Sequence, residues 1–161
     1  MEFLTGVKEK EAVSIRQILA GEYGGKTVKI NGAVHNIRDM GDFAFVILRK
    51  AEGLVQCVYE AGKTNFDLRD LKEESAVEVT GTVAAEKRAP HGFEIRLTQI
   101  RVLSEPAQSM PIAVNKWKMN TSLETRLGLR PVSLRNVRER AKFKVQEGIV
   151  RGFREFLSAQ G

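Results

Sequence analysis

The chain has 161 residues, of which 42% are hydrophobic and 29% charged, a globular composition that excludes disordered and collagen-like polymers. No run approaches the roughly 18 consecutive apolar residues that a membrane-spanning helix needs. The net charge of +6 is unevenly spread: residues 1–106 carry 15 basic and 16 acidic side chains, whereas residues 107–161 carry 11 and 4. Only the last third therefore suggests a polyanionic partner by charge, and a nucleic-acid site in the remainder must depend on particular residues.

Cysteine and histidine are rare in this sequence. Cys57 is the single cysteine and there are 2 histidines, so neither an internal disulfide nor a dedicated zinc site is expected. The N-terminal residues lack the apolar segment of a secretory signal. Together these features predict a protein of a reducing cytoplasm.

The hydrophobic pattern predicts one short helix followed by β-strands. Ser14 and Gln17 have the spacing of a capping box, and glycines at 24 and 25 end the helix that it begins. Alternating or β-branched segments then predict strands over 26–38, 43–50, 54–60, 76–86 and 93–103. Between the third and fourth strands, the polar segment 65–71 has apolar residues spaced for one face of a short helix. Strands in this order are typical of an OB-fold, a five-stranded Greek-key barrel, although other small β-barrels share it. Gly32 and Gly81 suit the bulges or sharp bends of such a barrel.

The last third of the chain differs in character. Residues 104–115 hold two of the 4 prolines and predict a linker, and Pro131 interrupts the arginine-rich segment 124–135. Asn136 as N-cap and Glu139 as its capping partner predict a final helix of about 22 residues, roughly 33 Å long. Its apolar stripe needs a covering surface. The expected parts are a barrel at 1–104, a linker or hinge at 105–135 and a helical segment at 136–161.

Several motifs occur at regular intervals along the chain. Residues 32–56 contain the patterns G-x-V, R-D-x-G, F-x-x-x-R and G-x-x-Q, and residues 92–95, 124–130 and 134–157 read GFEI, ETRLGLR and LRNVRERAKFKVQEGIVRGFREFL. In these motifs the chain resembles the anticodon-binding OB-fold, the hinge and the first class II motif of archaeal-type aspartyl-tRNA synthetases. Two positions depart from the family pattern: Ala33 stands where tryptophan is usual, and Lys50 where aspartate is common.

The resemblance implies the recognition part of a larger enzyme. Members of that family activate aspartate with ATP and Mg²⁺ and esterify it to tRNA, using second and third class II motifs that are absent from these 161 residues. The resemblance therefore implies a chain cut within the first class II motif, which starts the catalytic domain at 136–161. Such a chain needs no cofactor or metal and is inactive alone. It further implies tRNA-Asp and tRNA-Asn as partners, a homodimer in the whole enzyme, and no membrane contact.

Four residues are implied to read the anticodon. In the family, the residue matching Phe45 stacks on the middle base, and the residue matching Gln56 reads that base's edge. The match to Arg38 contacts the same base and its backbone, and the match to Glu94 contacts the first base. These residue types suit the tasks, because aromatic rings stack on unpaired bases and a Gln amide offers a donor and an acceptor to a uracil edge.

Each of these residues also has an ordinary structural interpretation. A strand phenylalanine such as Phe45 is by default part of a core, although here the strand's alternation places it opposite the apolar set. Gln56 can be a surface residue and Arg38 a turn ion-pair partner of Asp39. Glu94 can belong to a solvated strand face or be a cross-strand partner.

Two further positions bear on the third anticodon base, which alone distinguishes the aspartate anticodon GUC from the asparagine anticodon GUU. Discriminating members of the archaeal-type family carry tryptophan in the first strand and lysine before GFEI. The matching positions here hold His35 and Pro90, which resembles the non-discriminating form that charges both tRNAs. The alternative is that His35 is an ordinary exposed strand residue.

Other interpretations stay open. A freestanding OB-fold that binds single-stranded nucleic acid without sequence preference needs interleaved aromatics and a basic groove, whereas the barrel segment is near neutral. Asparaginyl- and lysyl-tRNA synthetases are related, but they depart from these motifs around R-D-x-G or the phenylalanine. A complete enzyme is least favoured, because no phosphate-binding loop, metal-ligand spacing or nucleophile with its base occurs. The final helix suits either a dimer interface or, through its basic face, contact with tRNA phosphates.

Overall fold

The computed structural model describes residues 13–106 and 108–161. They belong to two compact units, and the boundary between the units in the sequence follows residue 106. The finer division into 1–104, 105–135 and 136–161 stays a prediction. Within the described ranges, no helix combines the length and the apolar character required to cross a membrane.

The first unit is a closed five-stranded barrel preceded by a short helix. Helix α1 (Ile15–Leu19) is followed by strands β1 (Thr27–Asp39), β2 (Phe43–Lys50), β3 (Gly53–Glu60), β4 (Ala76–Ala85) and β5 (Phe93–Ser104). Single 3₁₀ turns, Leu68–Asp70 and Pro90–Gly92, precede β4 and β5. The barrel order is β1-β2-β3-β5-β4, and among these described strands only the β3–β5 pair is parallel. The predicted OB-fold is confirmed.

The barrel interior is formed by alternate residues of each strand. In β2, for example, Ala44, Val46 and Leu48 are 0% exposed, as the alternation predicts. The predicted capping box is present at α1, where the Ser14 hydroxyl accepts from the Gln17 N–H and the Gln17 amide accepts from the Ser14 N–H. The helix ends at Leu19, earlier than the predicted glycines, and buries Ile15 in the barrel core.

Irregularities in β1 and β4 interrupt the register of the strands. A register shift in β4 lies at Gly81, where an added Cβ would be 2.3 Å from the backbone oxygen of Arg96, so the two strands approach too closely for any side chain. The bulge in β1 lies between Val34 and Asn36 rather than at Gly32. As a result, both Val34 and His35 are buried, although they are neighbours in a strand.

The second unit has a small core and a long helix. Helices α2 (Leu123–Gly128) and α3 (Arg130–Ser133) precede α4 (Val137–Gln160). Asn136 is the N-cap of α4, as predicted: its side-chain oxygen accepts from the N–H groups of Arg138 and Glu139. The Glu139 carboxylate instead pairs with Arg126 and Lys142. No residue of α4 is buried, and its large apolar side chains from Phe143 onward are exposed to between 42% and 67%.

Candidate nucleic-acid interface

A concavity of about 590 Å³ opens on the outer surface of the barrel. The residues that line it come from the end of β1, from β2 and β3, from the β4–β5 turn and from the start of β5. The four residues predicted to read an anticodon all line this concavity: Arg38, Phe45, Gln56 and Glu94. Side chains up to 56 positions apart in the chain are thereby brought to one surface.

Two phenylalanine rings form the apolar wall. Phe45 and Phe43 lie on the outer face of β2, with ring centroids 5.3 Å apart and planes at 85°. Phe45 is half-buried and Phe43 is 37% exposed, so neither ring belongs to the barrel core. The edge-to-face arrangement holds the Phe45 ring in place while leaving part of it accessible to a planar ligand.

Gln56 and Glu94 form the polar floor. They precede Cys57 and Ile95, which pair directly in the parallel β3–β5 ladder. The Gln56 Nε2 donates to Glu94 Oε2 at 3.1 Å, and Glu94 is only 5% exposed. On the opposite face of β3, Cys57 is fully buried, and this burial, with the Glu94 charge nearby, raises the pKa of its thiol.

Arg38 lies exposed at the rim of the concavity, directly across the β1–β2 ladder from Phe45. The neighbouring Asp39 carboxylate accepts from the Gly41 N–H at 2.9 Å within the β1–β2 turn. The guanidinium is therefore placed beside the aromatic wall, where it can reach an approaching base or phosphate.

Sequence reasoning missed several lining residues. Glu86 and Arg88 come from the β4–β5 turn, where Glu86 Oε1 accepts from the Arg88 N–H at 3.1 Å. Asp42 and Glu60 complete a set of four lining carboxylates with Glu86 and Glu94. The strand alternation that placed Phe45 on the outer face also indicates Phe43, but no sequence signal brings the turn residues to the same surface.

The lining is acidic on balance, with four carboxylates against two arginines. Among residues 13–106 and 108–161, no group of three or more His, Cys, Asp and Glu side chains is placed to hold a metal ion. The concavity thus offers stacking, amide and carboxylate hydrogen bonding, and two peripheral cations.

His35 and Pro90 are not among the described residues that line the concavity. Pro90 is exposed in the turn before β5, two residues beyond Arg88. His35 is 7% exposed, so the alternative of an ordinary exposed strand residue is wrong. Their part in third-base reading stays a prediction.

His35 belongs instead to a buried polar cluster. Its Nδ1 accepts from Arg49 Nη1 at 3.0 Å, because a guanidinium can only donate. Arg49 in turn makes two 2.7 Å bonds to the Glu74 carboxylate. Burial lowers the pKa of His35 and the Arg49 charge lowers it further, whereas Glu74 opposes the shift.

Comparison with known proteins agrees with this fold. Residues 28–103 match the tRNA anti-codon family, an OB-fold nucleic acid binding domain. The chain is 39% identical over 140 residues to the aspartate–tRNA(Asp/Asn) ligase of Deinococcus radiodurans, covering 87% of this chain and 31% of that protein. It is 38% identical over 144 residues to the Archaeoglobus fulgidus protein of the same name, covering 87% and 33%.

Among solved structures, asparaginyl-tRNA synthetase from Pyrococcus horikoshii complexed with asparaginyl-adenylate superposes with a TM-score of 0.76 at 29% identity, covering 87% of this chain and 32% of that one. An aspartyl-tRNA synthetase from Entamoeba histolytica shares the fold, with a TM-score of 0.77 at 24% identity over 92% and 37% of the two chains. The chain spans about a third of the length of the curated relatives that it matches.

Proposed function

Because residues 28–103 belong to the tRNA anticodon-binding family of OB-folds, and 87% of the chain matches an aspartate–tRNA(Asp/Asn) ligase, we propose that this chain reads tRNA anticodons for such a ligase. The observation that carries the proposal is the meeting of Arg38, Phe45, Gln56 and Glu94 in one concavity.

In the proposed complex, the middle anticodon base stacks on Phe45. The half-buried ring offers an accessible face, and stacking on an aromatic side chain stabilises a bound base by about 1–3 kcal/mol. Gln56 lies on the adjacent strand and presents an amide to the edge of that base. Glu94 accepts from the amino and imino donors of a guanine at the first position, and Arg38 at the rim contacts the backbone.

The acidic lining favours this function over a general single-stranded nucleic-acid binder. A binder without sequence preference follows the phosphate backbone through a basic groove. Here four carboxylates surround the aromatic wall, and they repel phosphates from the interior of the concavity. Bases that present hydrogen-bond donors can bind to these carboxylates, whereas the phosphate backbone of the nucleic acid can contact only the arginines at the rim.

The test is a titration with two anticodon stem-loops, GUC and GUU, at a single salt concentration of about 0.15 M. Phe45→Ala should weaken binding of both loops by roughly 5- to 160-fold, which corresponds to about 1–3 kcal/mol. Gln99→Ala is the matched control for Gln56→Ala, because Gln99 is an exposed glutamine of β5 outside the concavity. Weak binding that ignores Phe45→Ala and Gln56→Ala would refute anticodon reading and leave a generic OB-fold.

The same titration tests the third-base proposal. From His35 and Pro90 we propose comparable affinity for GUC and GUU, and hence tRNA-Asp and tRNA-Asn as partners. A preference for GUC above tenfold, or about 1.4 kcal/mol, would contradict it.

For the whole enzyme we propose aspartate activation with ATP and Mg²⁺ in the cytoplasm, and a homodimer in which α4 takes part. The exposed apolar stripe of α4, with Ile149 66% and Phe153 67% exposed, supports the dimer. Sedimentation equilibrium should detect concentration-dependent self-association of the chain that Phe153→Asp abolishes. A strictly monomeric chain at all concentrations would count against this part.

A further inference from the structure

The bond between Gln56 and Glu94 has a direction that chemistry dictates. A glutamine amide that faces solvent can turn over about its last torsion, which exchanges its donor and its acceptor. A carboxylate only accepts, so the Gln56 amide must point Nε2 toward Glu94 Oε2, 3.1 Å away. The Glu94 side chain is 6% exposed, and its other oxygen lies 3.8 Å from the Arg96 guanidinium.

The consequence concerns the rest of the amide. With Nε2 anchored, Gln56 Oε1 and the second Nε2 hydrogen keep one fixed order across the floor of the concavity. Phe45 is held by Phe43, so a base stacked on it also has a restricted position. A base edge therefore meets a donor–acceptor pair of fixed order.

Uracil and cytosine differ in the order that they present. Uracil offers its N3–H as a donor beside a carbonyl acceptor, whereas cytosine offers an acceptor at N3 beside an amino donor. An amide that turns over freely can pair with either base, whereas an amide held in one order can pair with only one of them in a given position.

We propose that Glu94 is a positioning residue for Gln56, and that it sets the preference for uracil over cytosine at the middle base. This inference rests on the proposed anticodon reading and adds a second task to Glu94. Oε2 of Glu94 holds the Gln56 amide, and in the proposed complex Oε1, which lies 3.8 Å from Arg96 Nε, accepts from the first base.

The experiment compares a GUC stem-loop with one in which the middle base is cytosine, using the full chain. Glu94→Gln is the informative variant: a Gln–Gln pair hydrogen bonds in either order, so the contact survives but the order is no longer dictated. The wild type should prefer uracil by roughly tenfold or more, as one well-placed base contact allows. Glu94→Gln should lower the ratio of the affinity for the uracil loop to the affinity for the cytosine loop, nearly to the value that Gln56→Ala shows. The double variant should lower this ratio no further.

If Glu94→Gln also weakens the contact with the first base, it does so for both loops, because they share that base. This loss therefore leaves the ratio of the two affinities unchanged. Glu86→Gln is the matched control, because it neutralises another carboxylate of the same concavity; it should change the two affinities together and keep the ratio. A readout without RNA is the side-chain NH₂ resonance of Gln56, whose bonded proton should move upfield in Glu94→Gln and Glu94→Ala relative to the wild type.

The outcomes separate the two proposals. If the wild type and Gln56→Ala show the same ratio, anticodon reading by Gln56 fails and this inference fails with it. If Gln56→Ala loses the preference for uracil but Glu94→Gln keeps it, anticodon reading stands and the positioning role of Glu94 is overturned.

Discussion

The buried ion pair between Arg49 and Glu74 supports a strong prediction about stability. The two 2.7 Å bonds are bidentate, and the side chains are only 7% and 3% exposed. They join the end of β2 to the turn before β4, and backbone bonds between Val34 and residues 74 and 75 close the same turn. Glu74→Ala leaves the guanidinium buried without its carboxylate, which should reduce the free energy of unfolding of the barrel by about 3–5 kcal/mol.

A second term arises from the backbone of Glu74. Its φ is +67°, in the left-handed region that costs a non-glycine residue about 1–2 kcal/mol. Glu74→Gly relieves this cost, although it also loosens the unfolded chain. Glu74→Gly should therefore be less destabilising than Glu74→Ala by about 1 kcal/mol, while both lose the ion pair.

The assay is hydrogen exchange of β1 and β4 backbone amides under conditions in which exchange reports global opening of the barrel, so that the second unit does not contribute. Because Arg49→Ala also removes the buried charge, the double variant Arg49→Ala, Glu74→Ala should cost less than the sum of the two single changes. A loss below about 1 kcal/mol in Glu74→Ala, or strict additivity of the two changes, would refute the reasoning.

Three further predictions concern other parts of the fold. The pKa of His35 is lowered in the folded state, so the unfolded chain binds more protons and the barrel should lose stability as pH falls below about 6.5. His35→Gln should reduce this dependence of the unfolding free energy on pH, as measured by urea unfolding between pH 7.5 and 5.5. Gly81→Ala should cost about 3 kcal/mol or more, because its methyl would meet the Arg96 carbonyl. In Gly148→Ala the methyl would meet nothing within 4 Å apart from its chain neighbours and the backbone of its own helix, so this change should instead stabilise α4 by about 0.5–1 kcal/mol. Thermal melts followed by circular dichroism would measure both effects. Asn136→Ala should cost about 2 kcal/mol and speed exchange of the first α4 amides, since the side chain also donates to the carbonyls of residues 114 and 116; unchanged exchange would contradict this.

Much of the fold is readable from local pattern. The alternation in β2 places Ala44, Val46 and Leu48 inside and Phe45 outside, because a strand has a period of two whatever it pairs with. The caps at Ser14 and Asn136 are also local, since each side-chain oxygen accepts from backbone N–H groups within three residues. The order of strands and the outward direction of Phe45 follow from such signals.

Other features depend on how distant segments meet. His35 is buried because a bulge in β1 shifts the alternation by one residue, and that shift is set by pairing with β2 rather than by the residues of β1. Gln56 and Glu94 touch because β3 and β5, 38 positions apart at this contact, pair in parallel when the barrel closes. Glu86 and Arg88 reach the concavity through a turn with no motif of its own. Local periodicity specifies which way a side chain points. Contacts between strands determine the orientation of the Gln56 amide, the burial of charged groups and the shape of the concavity. These contacts exist only once the barrel has closed.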